Sequence, residues 1–332
     1  MTLELALVAD LSQVLEAFWR GSLGTSSAFF SGTLVRAIPL AILGVGISIA
    51  FRAGVFNIGG EGQLLLGATA GTVVGLHSAG LGPAGLVLAL LASVAAGALW
   101  AAIAAALRAR FGVLEVISTI MLNFVAVNLV SYLVRGPLQE PTRVYPQTDP
   151  IPMAARLPRL WPETRLHAGL IIAIAIAAAA WWFLARTAAG FRVRAVGASP
   201  TASMVTGRVN VSRVTFAALV ASGGLAGLAG GIEVSGVTYA LYENLSPGYG
   251  FSAIAVAILA RLHPLAVLGS ALLFATLETG ALGMQRDAGV PSVVAAALEA
   301  VVILVVVGLS GGVGDTSWRG WRGRAPRVQA TA

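Results

Sequence analysis

The sequence contains no cysteine and no lysine, and only 11 % of its residues are charged. Without cysteine there is no disulfide, no thiolate nucleophile and no zinc–thiolate cluster. Without lysine there is no phosphate-binding GxxxxGK[ST] loop and no Schiff-base lysine. The three histidines, His77, His167 and His263, lie far apart and suggest no metal site. HExxH, GxSxG and clustered His/Asp pairs are also missing, so an intramembrane enzyme is poorly supported. No catalytic residue, cofactor or metal is expected. All 21 basic residues are arginine, against 14 acids, for a net charge of +7. An arginine-only set in an Ala- and Gly-rich chain is what GC-rich coding produces. These arginines are spaced between apolar runs, which reads as membrane orientation and not as a nucleic-acid surface.

What is abundant is apolar. Of 332 residues, 57 % are hydrophobic, enough for about nine spans of roughly 20 residues each. Apolar runs occur at 34–51, 61–77, 83–107, 114–135, 167–185, 215–235, 250–261, 264–281 and 291–309. The fold class expected is an all-α polytopic membrane protein with about nine transmembrane helices. The runs at 61–77 and 250–261 are short and flanked by glycine, which predicts broken or re-entrant helices. They stand second in two sets of four, 34–135 and 215–309. Interrupted helices in matching positions of a duplicated bundle are a transporter feature, with solute handled where the repeats meet.

Thirteen arginines fall on one set of loops and the C-terminal tail, seven on the alternate set, where acids dilute them. The first set is expected to be cytoplasmic. The chain then divides into 1–33, an extracytoplasmic amphipathic segment, 34–309, the transmembrane domain, and 310–332, a cytoplasmic Arg-rich tail. The loop 136–166 is external and 186–214 internal. The start lacks the basic region of a signal peptide and carries Glu4, Asp10 and Glu16.

Four stretches could carry chemistry. In Phe51–Gln63, glycines 59, 60 and 62 loosen the backbone beside Asn57, Glu61 and Gln63. Either a broken helix turns its polar groups to a cavity, or a tight turn lets Glu61 cap the next helix or pair with Arg52. An ionisable group at membrane depth costs about 2.5–3.5 kcal/mol on insertion scales, which makes it a site candidate. The run 114–135 carries Glu115, Ser118, Thr119, Asn123 and Asn128, with Thr119 and Asn123 on one face. That face lines a pathway or bonds a neighbouring helix. Gly223, Gly227 and Gly231 form a stripe suited to close helix packing, and Glu233 ends it, followed by Tyr239, Tyr242 and Tyr249. In the loop 190–207, Ser199 can cap a short helix with Pro200 in its first turn and Gly207 at its end. That helix is a plain connector or a docking element.

Together, FRAGVFNIGGEGQLLLGA (51–68), EVISTIMLN (115–123), GFRVRAVGASPTAS (190–203), GGLAGLAGGIEV (223–234), GYGFSAIAVAIL (248–259) and the RLHPL turn (261–265) resemble the permease subunits of prokaryotic ABC importers. The branch is that of the ribose and branched-chain amino-acid permeases, and within it the nucleoside and simple-sugar group. The resemblance covers about residues 20–310. It implies a ten-helix subunit duplicated around helices 2–5 and 7–10. The nine runs match helices 2–10, with the first missing or replaced by 1–20.

The resemblance also implies partners. A separate ABC ATPase would hydrolyse ATP, a second permease subunit, identical or not, would complete the channel, and an extracytoplasmic binding protein would deliver solute. All would meet at a prokaryotic cell membrane. The helix at 199–207 would be the coupling helix, with Arg194, Gly197, Ser199, Pro200, Ala202, Met204 and Gly207 facing the ATPase. The expected solute path passes Asn57, Glu61, Gln63, Asn123 and Glu233, with Phe251 as an apolar face. A neutral solute is expected, a nucleoside before a free sugar, because FNIGGEGQ and STIMLN resemble the nucleoside-type members most closely. A ribose-type sugar importer and a gradient-driven transporter working through Glu61 and Glu233 remain alternatives.

Overall fold

The structure is a computed structural model that describes residues 3–207 and 209–291, with isolated positions up to 308. Most of the expected span 291–309 and all of the tail 310–332 lie outside the described residues. Among those described, the fold is all-helical with no strand. Eleven α-helices follow in order: α1 Leu3–Ser22, α2 Leu34–Arg52, α3 Gly60–Leu76, α4 Pro83–Phe111, α5 Glu115–Arg135, α6 Gly169–Arg186, α7 Ala188–Ala198, α8 Pro200–Gly207, α9 Val211–Glu233, α10 Tyr249–Leu259 and α11 Pro264–Asp287.

Among the described residues, six helical stretches are long and apolar enough to cross a membrane: Ala28–Arg52, Pro83–Phe111, Glu115–Arg135, Gly169–Arg186, Val211–Thr238 and Pro264–Asp287. The first and fifth extend α2 and α9 through single π-helical turns, 28–33 and 234–238. Helices α3 and α10 are shorter, at 17 and 11 residues. The reason is where they start. The N-terminus of α3 packs at Leu43, the midpoint of α2, and against Gly250 at the start of α10. The chain leaves α2 at Arg52, climbs back in a non-helical segment, 53–59, and resumes helix at mid-depth. Both short helices therefore begin inside the bundle.

α2 is the central post: from Val35 to Ala50 every residue but Arg36 is buried. Lipid tails are as apolar as leucine, so such helices associate through close packing. The glycines supply it. A Cβ on Gly67 of α3 would strike the backbone of Gly227 on α9, and one on Gly227 would strike Ser93 and Gly97 of α4. At the arginine-rich end, Arg261 and Leu262 both adopt left-handed backbone in the turn between α10 and α11. Arg52 Nε donates to Leu262 O at 2.7 Å, tying the end of α2 to that turn.

A mid-membrane amide cluster beside two cavities

The non-helical segment 53–59 has backbone groups that must find partners at membrane depth, since lipid offers none. Side-chain amides supply them. Asn57 and Gln63 form a reciprocal pair: Asn57 Nδ2 donates to Gln63 Oε1 at 2.8 Å and Gln63 Nε2 to Asn57 Oδ1 at 3.0 Å. Asn57 Oδ1 also accepts the Gly59 N–H, and its Nδ2 donates to Ser222 Oγ of α9 at 2.9 Å. Asn123 of α5 accepts the Gly62 N–H and donates to Ile58 O, at 2.9 and 2.8 Å. Asn57, Gln63 and Asn123 are all buried. On the arginine-rich side, Glu115 pairs with Arg108 and accepts the Phe56 N–H at 3.2 Å.

Glu61 does not pair with Arg52. Standing in the first turn of α3, it accepts the Gly250 N–H in the first turn of α10 at 2.8 Å, with Ser246 as a second donor. Two helix N-termini thus converge on one carboxylate, where their partial positive charge favours it. Of the readings left open for Glu61, a cap on its own helix is not what forms: its carboxylate caps the other short helix, α10. Glu61 also borders a cavity of about 210 Å³ lined by Asn128, Ser131, Glu243, Asn244 and Ser246. Among the described residues no basic side chain lines it. Phe251, next to Gly250, is half-exposed on the outside of α10.

Glu233 lies apart from this cluster, on the wall of a larger cavity of about 900 Å³ at the opposite end from Arg52. Arg36, Arg165, Tyr242, Tyr249 and Thr279 share that wall. Arg36 pairs with Glu278 at 3.6 Å. Asn244 lines both cavities, which makes them neighbours. A fork of hydrogen bonds, with Arg135 Nη2 on Glu243 Oε2 at 2.7 Å, and a bond from Ser131 anchor Glu243 in the loop between them. These bonds hold its carboxyl down to about 2.

At the other end, α7 and α8 form a helical pair. Ser199 Oγ accepts the Ala202 N–H at 3.3 Å, and α8 begins at Pro200. Ser199, Pro200, Ala202 and Met204 are exposed, Arg194 is half-buried, and a Cβ on Gly197 would strike the Arg52 carbonyl. The predicted residues therefore fall into three groups: the cluster around Asn57, the wall at Glu233, and the α7–α8 pair. Sequence reasoning missed Ser222, Ser246, Asn244 and Arg36. Only Ser222 had a visible signal, as the polar residue opening the glycine stripe.

A family model described as the branched-chain amino acid transport system/permease component matches residues 29–309. The chain belongs to that family. As a permease it is a multi-pass membrane subunit of an ATP-driven importer, a transport component. A glucose ABC transporter permease of Haloferax volcanii is 38 % identical over 293 residues, covering 85 % of this permease and 77 % of its own length. A guanosine ABC transporter permease of Bacillus subtilis is 38 % identical over 297 residues, covering 87 % and 84 %. A second guanosine permease of that bacterium is 31 % identical over 307 residues, covering 87 % and 92 %. No solved structure matches the permease.

Proposed function

We propose that this permease carries nucleosides inward as one of two membrane subunits of an importer whose ATP is hydrolysed by a separate protein. The observation carrying the solute class is the Glu61 cavity, whose described lining offers amides, hydroxyls and carboxylates but no cation. A phosphorylated or carboxylated solute would lack charge-assisted partners there. A neutral one finds hydrogen-bonding groups beside the apolar side chains of Leu65, Val127 and Val130 in the same lining. The two guanosine permeases of B. subtilis support a nucleoside. The glucose permease of H. volcanii supports a second reading, a neutral sugar.

In this account the arginine-rich end is cytoplasmic, α8 is the coupling helix seated on the ATPase, and the tail 310–332 lies on the same side. Segment 1–33 and the loop 136–166 are external, and the 900 Å³ cavity receives solute there from a binding protein. Of nine crossings, eight form two sets of four, with α3 and α10 as the interrupted members and α6 between the sets. Solute passes Glu233, Glu61 and Phe251, while Asn57, Gln63 and Asn123 fix the bend behind them.

Competition in the reconstituted complex tests the solute. Excess uridine or adenosine should block uptake of labelled nucleoside where excess ribose does not. Equal inhibition by ribose moves the assignment to sugars, and inhibition by leucine alone to amino acids. Phe251→Ala should weaken uptake without changing stability, since half-exposed surface changes stay within about 0.5 kcal/mol.

A further inference from the structure

Helices α6 and α9 both pack on α2, and between them runs a groove of about 570 Å³. Its floor is Ile49 of α2, and its walls include Ala180 and Phe183 of α6 and Leu225 of α9. Along α9 the lining extends from Val214 to Leu225, about 16 Å of helix at 1.5 Å per residue. The lining is almost entirely apolar, and both walls belong to helices apolar enough to span the bilayer. Water gains nothing in such a crevice, whereas hydrocarbon fits it. At its arginine-rich end the lining changes: Arg192 of α7 and Arg213 at the start of α9 close the groove. Both are exposed, and neither guanidinium has an ion pair or side-chain hydrogen bond among the described residues.

We propose that this groove is a binding site for an anionic glycerophospholipid, one acyl chain lying between α6 and α9 and the phosphate held by Arg192 and Arg213. The charge complementarity is specific to the head group. Two guanidinium groups offer charge-assisted hydrogen bonds to a phosphate, and a basic pocket at the end of membrane helices suits an anionic lipid. A zwitterionic lipid places a compensating cation beside the same arginines and loses part of that attraction. The site is separate from the solute path: none of the residues that line the groove lines either cavity.

Native mass spectrometry of the purified importer, after exchange into equal phosphatidylglycerol and phosphatidylcholine, reads the site directly. The wild type should retain phosphatidylglycerol about tenfold over phosphatidylcholine, a ratio in keeping with two arginines near a head group. Arg192→Ser with Arg213→Ser should abolish that preference while some lipid of either kind remains. Ala221→Trp, which fills the groove from an exposed position on its wall, should remove the retained lipid altogether. Phosphatidylglycerol retained unchanged in Ala221→Trp would overturn the proposal. So would an unchanged preference in the double arginine variant, or loss of the ATPase subunit from that variant with lipid unaffected, which would make the arginines part of a protein interface. Added inorganic phosphate should not displace the lipid, and displacement by it would reduce the site to a simple anion site.

Discussion

Asn57 and Gln63 face one another with both amide hydrogen bonds made, at 2.8 and 3.0 Å, six residues apart across the break between α2 and α3. The pair holds a stretch of non-helical backbone at membrane depth and hands a further bond to Ser222 of α9. Gln63→Ala removes both bonds and leaves one Nδ2–H of Asn57 buried without an acceptor, its bonds to Gly59 and Ser222 remaining. An unsatisfied buried polar group costs about 1–3 kcal/mol, so the purified variant should unfold at lower temperature than wild type. Asn123→Ala, which strands the Gly62 N–H and the Ile58 carbonyl, should act the same way. An unchanged unfolding temperature in both would mean that water or a rearranged loop satisfies these groups.

His167 gives the loop before α6 a pH dependence. Its ring lies against Gly169 and Gly236, and its Nδ1 accepts the Gly169 N–H at 3.2 Å. That bond requires the neutral ring. Burial first, and the charge of Arg165 second, lower its pKa from 6.5 to about 4. The unfolded chain binds the proton more readily, so the stabilisation is fully present above about pH 6.5 and is lost as pH falls to about 4, on the order of 3 kcal/mol in all. Thermal unfolding followed from pH 7.5 to 4.5 should fall more steeply for wild type than for His167→Asn. Parallel curves would contradict the assignment.

The α8 surface can be tested apart from transport. Ala202 is exposed and gives its backbone N–H to the Ser199 cap, so Ala202→Asp should insert and fold normally. In an interface with the ATPase it would bury an unpaired charge at several kcal/mol, and the ATPase should no longer co-purify. Normal co-purification and uptake would leave α8 a connector. The sequence lacks cysteine, so Ser199→Cys also reports sidedness. It should resist an impermeant thiol reagent applied to intact cells, and labelling from outside would reverse the orientation.

Much of this architecture is visible in residue types. Glycines at four-residue spacing announce a close helix crossing, and Gly227 indeed meets Gly67 and Gly97. The glycines around Glu61 announce a break, and helix α2 does end before it, with α3 resuming at Gly60. Partners distant in sequence leave no such trace. Ser222 is 165 residues from Asn57, and nothing local distinguishes Arg52 from the α10 N-terminus as the group that Glu61 meets. Helix α7 is hidden for a different reason. Its composition, GFRVRAVGA, has no clear apolar period, and Thr187 starts it by accepting the Gly190 N–H at 3.0 Å.

Solute should cross this permease only at the expense of ATP hydrolysed by a partner. Proteoliposomes holding this permease, its second membrane subunit and its ATPase, supplied with the binding protein and labelled uridine, test it most directly. Uptake should require ATP on the side that exposes α8 and should stop when the ATPase is omitted, whatever ion gradient is imposed. Uptake without ATPase, driven by a proton or sodium gradient and lost in Glu61→Gln, would contradict the account and make the permease a secondary transporter.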